Sequence, residues 1–159
     1  MILRLMFSAC DFVSLANLER AKKFVDENDV TLTDGVISTA NDLNDPAWVG
    51  FNAKTPASAE KGYNFIRVDL GAVYGLTELA LHVGSNGLQY GITAPSVEFF
   101  VSEDGATYTS VGSATGVNDG KMSETLAVKC KADARYIEAR ITGSGWEFVS
   151  EIFAYGGEF

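Results

Sequence analysis

From residue 60 onwards the side chains alternate. Ile66, Val68 and Leu70 are interleaved with Arg67 and Asp69, Leu79, Leu81 and Val83 with Ala80 and His82, and Val97, Phe99 and Val101 with Glu98 and Phe100. A period of two puts successive residues on opposite faces of an extended chain, so each run is a half-buried strand. Residues 107–111, 125–130, 135–142 and 148–155 read the same way, punctuated by "DLGAVYG", "SEDGAT", "VNDG" and "TGSG". These segments supply turn residues, Asp104-Gly105 being the tightest signal. Short strands this close together, with no helix-length pattern between them, predict an antiparallel sandwich or barrel and disfavour a parallel α/β sheet. The one helical signal is "LANLERAKKFVDEND", where Leu15, Leu18, Ala21 and Val25 share a face.

With 159 residues the chain suffices for one hydrophobic core. No linker, repeat or low-complexity tract divides it, so residues 1–159 are expected to form a single domain, 1–16 being its lead-in. No apolar run approaches the roughly 20 residues of a membrane span. A net charge of −9 repels phosphate backbones and anionic lipid, and no Lys/Arg cluster with interleaved aromatics offsets it. Nucleic acid is therefore excluded as an expected partner, and membrane is disfavoured. Calcium or a neutral ligand suits the balance, which is also ordinary for a soluble protein. Cys10 and Cys130 match no metal or redox spacing; they are either a disulfide joining the two ends or two separate thiols. The opening "MILRLMFSAC" is too short for a signal peptide and reads as the start of a module cut from a longer chain.

Catalytic signatures are missing. His82 is the sole histidine, which rules out a two-histidine metal motif, and no G-x-S-x-G occurs. It alternates outward from its strand and reads as an exposed or rim histidine, with ligand contact as its second role. "TGVNDGKMS" lacks the first glycine of a phosphate loop, and no carboxylate pair sits in an identifiable cleft. The chain is expected not to be an enzyme.

Three stretches carry chemistry. Residues 31–51, "TLTDGVISTANDLNDPAWVGF", combine an Asp-Gly turn with hydroxyls, amides and Asp42, Asn44 and Asp45. That oxygen density suits a hard cation such as calcium, or else a set of solvated turns. Residues 82–96, "HVGSNGLQYGITAPS", join two strands by more chain than a hairpin needs and offer Asn86, Gln89 and Tyr90. Planar amides and an aromatic fit a sugar, and Leu88 and Tyr90 packing the loop on itself fits equally. Finally, "TGSGWEFVSEIFAYGG" places Trp146 in a turn and Glu151 inside a strand.

Over residues 17–157 the order "NLERAKKF", "LTDG", "AWVGF", "IRVDLG", "ITAPSVEFFVSEDGATYTSVG", "ARYIEARI" and "WEFVSEIFAYG" resembles the discoidin, or coagulation-factor type C, superfamily. Within it the match is to the bacterial family 32 carbohydrate-binding modules. The resemblance implies an all-β fold: an antiparallel β-sandwich, a discoidin-like jelly roll of about eight main strands. Its chain ends lie together and its recognition loops lie at the opposite edge. It also makes "NLERAKKF" extended rather than helical, although Glu19 and Ala21 depart from the family's small residue and glycine.

Many members hold a structural calcium. Carried over, that site takes the Asp34 and Glu151 carboxylates, the backbone carbonyls of Thr31 and Val36, and the carbonyl and hydroxyl of Thr39. The rival role for Glu151 is a strand-end acid facing solvent. The resemblance puts ligand recognition on loops 40–51, 82–95, 113–124 and 142–147, where Trp146 matches the aromatic that stacks on a sugar ring. The first loop has no histidine and the second no arginine, so a galactose-type site does not carry over. The remaining polar candidates are Asp42, Asn44, His82, Asn86, Gln89 and Tyr90, while Trp48 reads as a plug beneath the loops. The implied function is a non-catalytic, calcium-stabilised carbohydrate-binding module. It would target a larger secreted or surface-attached bacterial enzyme to glycan or polysaccharide, outside the cell. The alternatives are an adhesion module using Leu43, Leu88 and Met122 as apolar spikes, or a spacer without a ligand.

Overall fold

The computed structural model describes residues 3–4, 31–54 and 60–157. Seven strands run through them: β1 (Leu3–Arg4), β2 (Val49–Asn52), β3 (Asn64–Gly84), β4 (Ser96–Ser102), β5 (Thr109–Thr115), β6 (Ser123–Thr142) and β7 (Trp146–Gly157). Every pairing is antiparallel. The helical signal at residues 15–29, its extended alternative and the pairing of Cys10 with Cys130 lie outside the described residues.

β3 and β6 are long because each serves two layers. Residues 64–69 of β3 pair with residues 136–141 of β6, whose other edge takes β4 and then β5. Beyond a register shift between Asp69 and Tyr74, the rest of β3 pairs with the first half of β6 on one side and with β7 on the other; β2 follows β7. One hydrogen-bonded network is thereby folded into a discoidin-like β-sandwich. Its β7 layer holds β2, β7 and the second half of β3, and its β4 layer holds β4, β5 and the first half of β3.

The corner of β3 is built from side chains. Asp69 Oδ1 accepts the Gly71 N–H at 2.8 Å, and Arg135 donates Nε and Nη2 to the two Asp69 oxygens at 2.8 Å each. Gly71 turns the chain at φ 81°, a conformation that a Cβ would strain. "DLGAVYG" read as a break between two strands; the strand instead runs on through the corner, and its pairing with β6, interrupted after Asp69, resumes at Tyr74. β5 starts later than the alternation suggested because the Thr107 N–H is taken by Asp104 Oδ1, which keeps residues 104–107 in the turn. Trp146, read as a turn residue, already pairs with Asn52 and opens β7.

Between the layers, Ile66, Val68, Leu81, Phe99, Ile137 and Ile141 belong to one cluster, each no more than 2% exposed. Burying each such side chain contributes roughly 1.5–3 kcal/mol. Leu32 joins them from a 3₁₀ turn (Thr31–Thr33) and pins the following loop to the sandwich. A second cluster lies outside the β7 layer, where Leu43, Trp48, Leu88 and Phe148 are buried with Ile92, Met122 and Trp146 packed on them. Leu43 and Leu88 are therefore not spikes; both turn inward to shield the strands beneath.

The outside of the β4 layer is covered differently. Glu138 alternates away from the core yet is 2% exposed. Arg67 Nε and Nη2 donate to its Oε2 at 3.0 and 2.5 Å, and Arg140 Nε donates to its Oε1 at 2.6 Å. The two guanidinium groups lie over aromatic rings, Arg67 over Phe65 and Tyr108, Arg140 over Tyr63 and Phe100. Burial pushes the Glu138 carboxyl up, but the bonds and charges of Arg140 and Arg67 outweigh it and hold it below the usual range.

Candidate functional site

β2 begins, β3 ends, β4 begins, β5 ends, β6 begins and turns into β7 at one end of the sandwich, so the four loops of residues 40–51, 82–95, 113–124 and 142–147 meet there. Their amides staple them together. Asn41 Oδ1 accepts the Gln89 N–H at 2.6 Å and Gln89 Oε1 accepts the Leu43 N–H at 3.1 Å. Asn86 donates to the Asn118 carbonyl at 2.7 Å and accepts the Gly120 N–H at 2.8 Å. Asn86 and Gln89, picked out as ligand contacts, thus hold neighbouring loops. Asp42 and Asn44 bind one another at an exposed turn, where Asp42 Oδ1 accepts both the Asn44 N–H and its Nδ2 at 2.8 Å.

Two organisers carried no signal in the sequence beyond the turn "VNDG". Asn118 sits at φ 55°, which its short amide tolerates, and its Oδ1 accepts the Ala94 N–H at 2.7 Å. Glu124 accepts Ser85 Oγ at 2.6 Å and the N–H groups of Val117 and Asn118 at 2.7 and 3.1 Å. Burial raises its pKa, and these three bonds outweigh it, leaving the carboxyl below its ordinary value.

Within this edge is a cavity of 240 Å³ between Gly91–Ala94 and the turn of residues 143–147. Trp146 forms part of its wall; its ring stacks on Phe148, centroids 6.1 Å apart and planes at 22°. Because Phe148 is buried, the half-exposed indole is a braced platform rather than a swinging side chain. The remaining lining is small: three glycines, Ala94, and the hydroxyls of Thr93 and Ser144 among them. Gly143 leaves room for the Glu147 side chain, whose Oε1 a Cβ there would meet at 2.1 Å. Beside the cavity Tyr90 is 84% exposed and held at φ 64°, a left-handed conformation that is uncommon for an aromatic residue. A larger depression of 540 Å³, bordered by Glu103, Asp104, Lys131 and Asp133, lies elsewhere and has no aromatic in its lining.

His82 is not a rim residue. It is 8% exposed, its ring stacked against Trp48 at 6.3 Å and its Nδ1 3.0 Å from Thr125 Oγ1. It alternates outward, but outward on the β7 layer means under Trp48, the plug at 2% exposure. Burial lowers its pKa.

The Asp-Gly loop meets β7 at Glu151. That side chain is 4% exposed, which removes the solvent-facing role, and its Oε2 accepts the Gly35 N–H at 3.0 Å. Asp34 Oδ1 accepts the Val36 N–H at 2.8 Å, so both carboxylates flank one turn. Val36 is 53% exposed and has no side-chain donor, so it could offer an ion only its carbonyl; Thr31 is half-buried and Thr39 exposed. Among the described residues no three His, Cys, Asp or Glu side chains gather. A cation held here would draw on two carboxylates and complete its shell with neutral oxygens, a donor set that fits calcium rather than zinc.

The profile of the F5/8 type C domain matches residues 26–152. No curated protein matches the chain. Among solved structures, the C-terminal domain of a chitobiase from Bacteroides fragilis superposes with a TM-score of 0.63 at 17% identity, covering 98% of this chain and 97% of that one. The family 32 carbohydrate-binding module of Clostridium perfringens NanJ, in complex with galactose, gives 0.61 at 13% identity, covering 98% and 99%. Chitosan-binding module 1 from a chitosanase/glucanase of Paenibacillus sp. IK-5 gives 0.62 at 16% identity, covering 98% and 100%. At such identities the likeness is one of fold.

Proposed function

The chain belongs to the F5/8 type C domain family, and from that premise we propose that it is a non-catalytic glycan-binding module that seats a sugar against Trp146. The observation that carries this reading is the braced indole in the wall of a 240 Å³ cavity at the loop edge. An aromatic face suits the C–H side of a sugar ring, and the hydroxyls of Thr93 and Ser144 suit its oxygens. Relatives of the same fold support this ligand class, one solved with galactose and one named for chitosan. The site is shallow, so affinity should lie between about millimolar and tens of micromolar. Membrane adhesion is the weaker reading, because Leu43 and Leu88 are buried and anionic lipid would face Asp42 and Asp119.

The Bacteroides relative is the C-terminal domain of a chitobiase. A place beside a catalytic domain in a larger extracellular or surface-attached bacterial protein follows naturally for this chain, with the module holding that partner near its polymer. Among the described residues no helix is long and apolar enough to cross a membrane.

A calcium ion belongs with this reading, held by Asp34 and Glu151 with the carbonyls of Thr31, Val36 and Thr39 and the Thr39 hydroxyl. When bound it would neutralise two carboxylates and tie the Asp-Gly loop to β7. Chelation is expected to lower the thermal midpoint by several degrees, and Glu151→Gln to abolish that response. A midpoint indifferent to chelator removes the ion from the account. The sugar site is tested by a glycan array at millimolar calcium, repeated with Trp146→Ala. Wild type should bind and the variant should lose about tenfold or more. No binding by wild type ends the glycan reading, and equal binding by the variant ends the site assignment.

A further inference from the structure

We infer that the Trp146 cavity selects its ligand by charge, accepting neutral and amino sugars and rejecting those that carry a carboxylate or sulfate. This rests on the glycan reading above and names the class of sugar it admits.

The inference comes from where the charges stand. The four loops of the edge carry five carboxylates, those of Asp42, Asp45, Asp119, Glu124 and Glu147, against one cation, Lys121. Lys121 is not available to a ligand on equal terms, because its Nζ pairs with Asp119 Oδ2 at 2.8 Å. Among the described residues the cavity lining contains no lysine or arginine, and the acid within it, Glu147, is 1% exposed beside Gly143.

Recognition of an anionic sugar calls for a guanidinium fork or an ammonium. The described arginines that could supply one sit elsewhere. Arg67 and Arg140 close over Glu138, and Arg135 is bidentate to Asp69, all three on the outside or corner of the β4 layer. An anion entering the cavity would therefore lose water without gaining a countercharge, in a field of carboxylates of which only Asp119 has a paired cation among the described residues. A protonated amine meets the opposite field. A neutral ring is indifferent to it and is held by the indole and the hydroxyls.

The test titrates the full chain with methyl glycosides of the gluco and galacto series, each as hexose, 2-amino-2-deoxyhexose and uronic acid, followed by amide chemical shifts. The solution is held at about pH 6.5, where a sugar amine keeps its proton. In whichever series the hexose binds, the uronic acid should bind about tenfold or more weaker and the amino sugar about two- to fivefold tighter at about 10 mM salt, both differences shrinking at about 500 mM. A uronic acid that binds as tightly as its hexose overturns the inference and leaves the glycan site standing. So does a preference that salt does not diminish, since that marks a direct contact and not the field of the loops. If neither series produces a shift, the glycan reading falls and this inference with it.

Discussion

On the outside of the β4 layer Glu138 is buried by its neighbours' own length, as Arg67 and Arg140 fold over it and rest on aromatic rings. On the outside of the β7 layer His82 is buried by chain, because the loop that carries Trp48 lies across it. The first face satisfies its buried carboxylate internally and leaves one buried hydroxyl, Tyr108 Oη, without a hydrogen-bond partner among the described residues. The second leaves Trp48 Nε1, His82 Nε2 and Ser150 Oγ buried with no hydrogen-bond partner among the described residues. Ordered water suits such atoms. A self-covered face needs little from outside and offers little to it. A chain-covered face depends on its loops, and those loops are where the cavity and the Asp-Gly turn are found.

Three experiments press on that contrast. Trp48→Ala should have the largest effect, about 3–5 kcal/mol, because it empties the plug above His82 and loosens Leu43, Leu88 and Phe148 together. Urea denaturation measures it, and a loss under about 1 kcal/mol would mean that the loop is not what secures this face. Glu138→Gln comes next. It leaves two guanidinium groups facing one neutral amide, at about 2–4 kcal/mol; the cost sits below that of a fully buried pair because the arginine side chains are 39% and 31% exposed. A neutral result would reduce the charge network to packing.

The smallest effect is also the most diagnostic, since the two faces titrate in different windows. His82 has a folded pKa below its unfolded value of about 6.5, so the unfolded chain takes the proton first. Its share of stability is full above that pH, declines as the pH falls through it, and levels off below the folded value. Glu138 is likewise lowered, but as an acid; its share is present at neutral pH and lost only as the pH falls through the carboxylate range. His82→Leu should flatten the stability profile between about pH 5 and 7 and leave the acid limb, whereas Glu138→Gln should do the reverse. Identical profiles for both variants would break the distinction between the faces.

The strands were legible because alternation such as Ile66-Arg67-Val68-Asp69-Leu70 depends only on which side of one strand is wet. The corners were not. Whether "DLGAVYG" ends a strand or bends it depends on Arg135, far away in sequence, reaching Asp69. His82 misled for a related reason: it alternates away from the core, but the loop that carries Trp48 covers it. The loop edge was legible as a place, and Trp146 and Glu151 as residues out of pattern, whereas Asn86 and Gln89 announce hydrogen bonding without saying to whom. Their partners, Asn118, Gly120, Asn41 and Leu43, are fixed only once the loops meet.

That meeting has a consequence for how such a site can change. At Gly87 a Cβ would lie 2.2 Å from the Gly120 carbonyl oxygen, and at Gly116 one would lie 2.4 Å from the Ala94 Cβ. With Asn118 bonded into the same seam, loops 82–95 and 113–124 behave as one casting. Randomising either loop alone should mostly yield misfits, and new specificities should be found at the exposed positions Tyr90, Thr93 and Ser144, where the casting is already open to solvent. The adaptable part of this module is thus a few side chains wide.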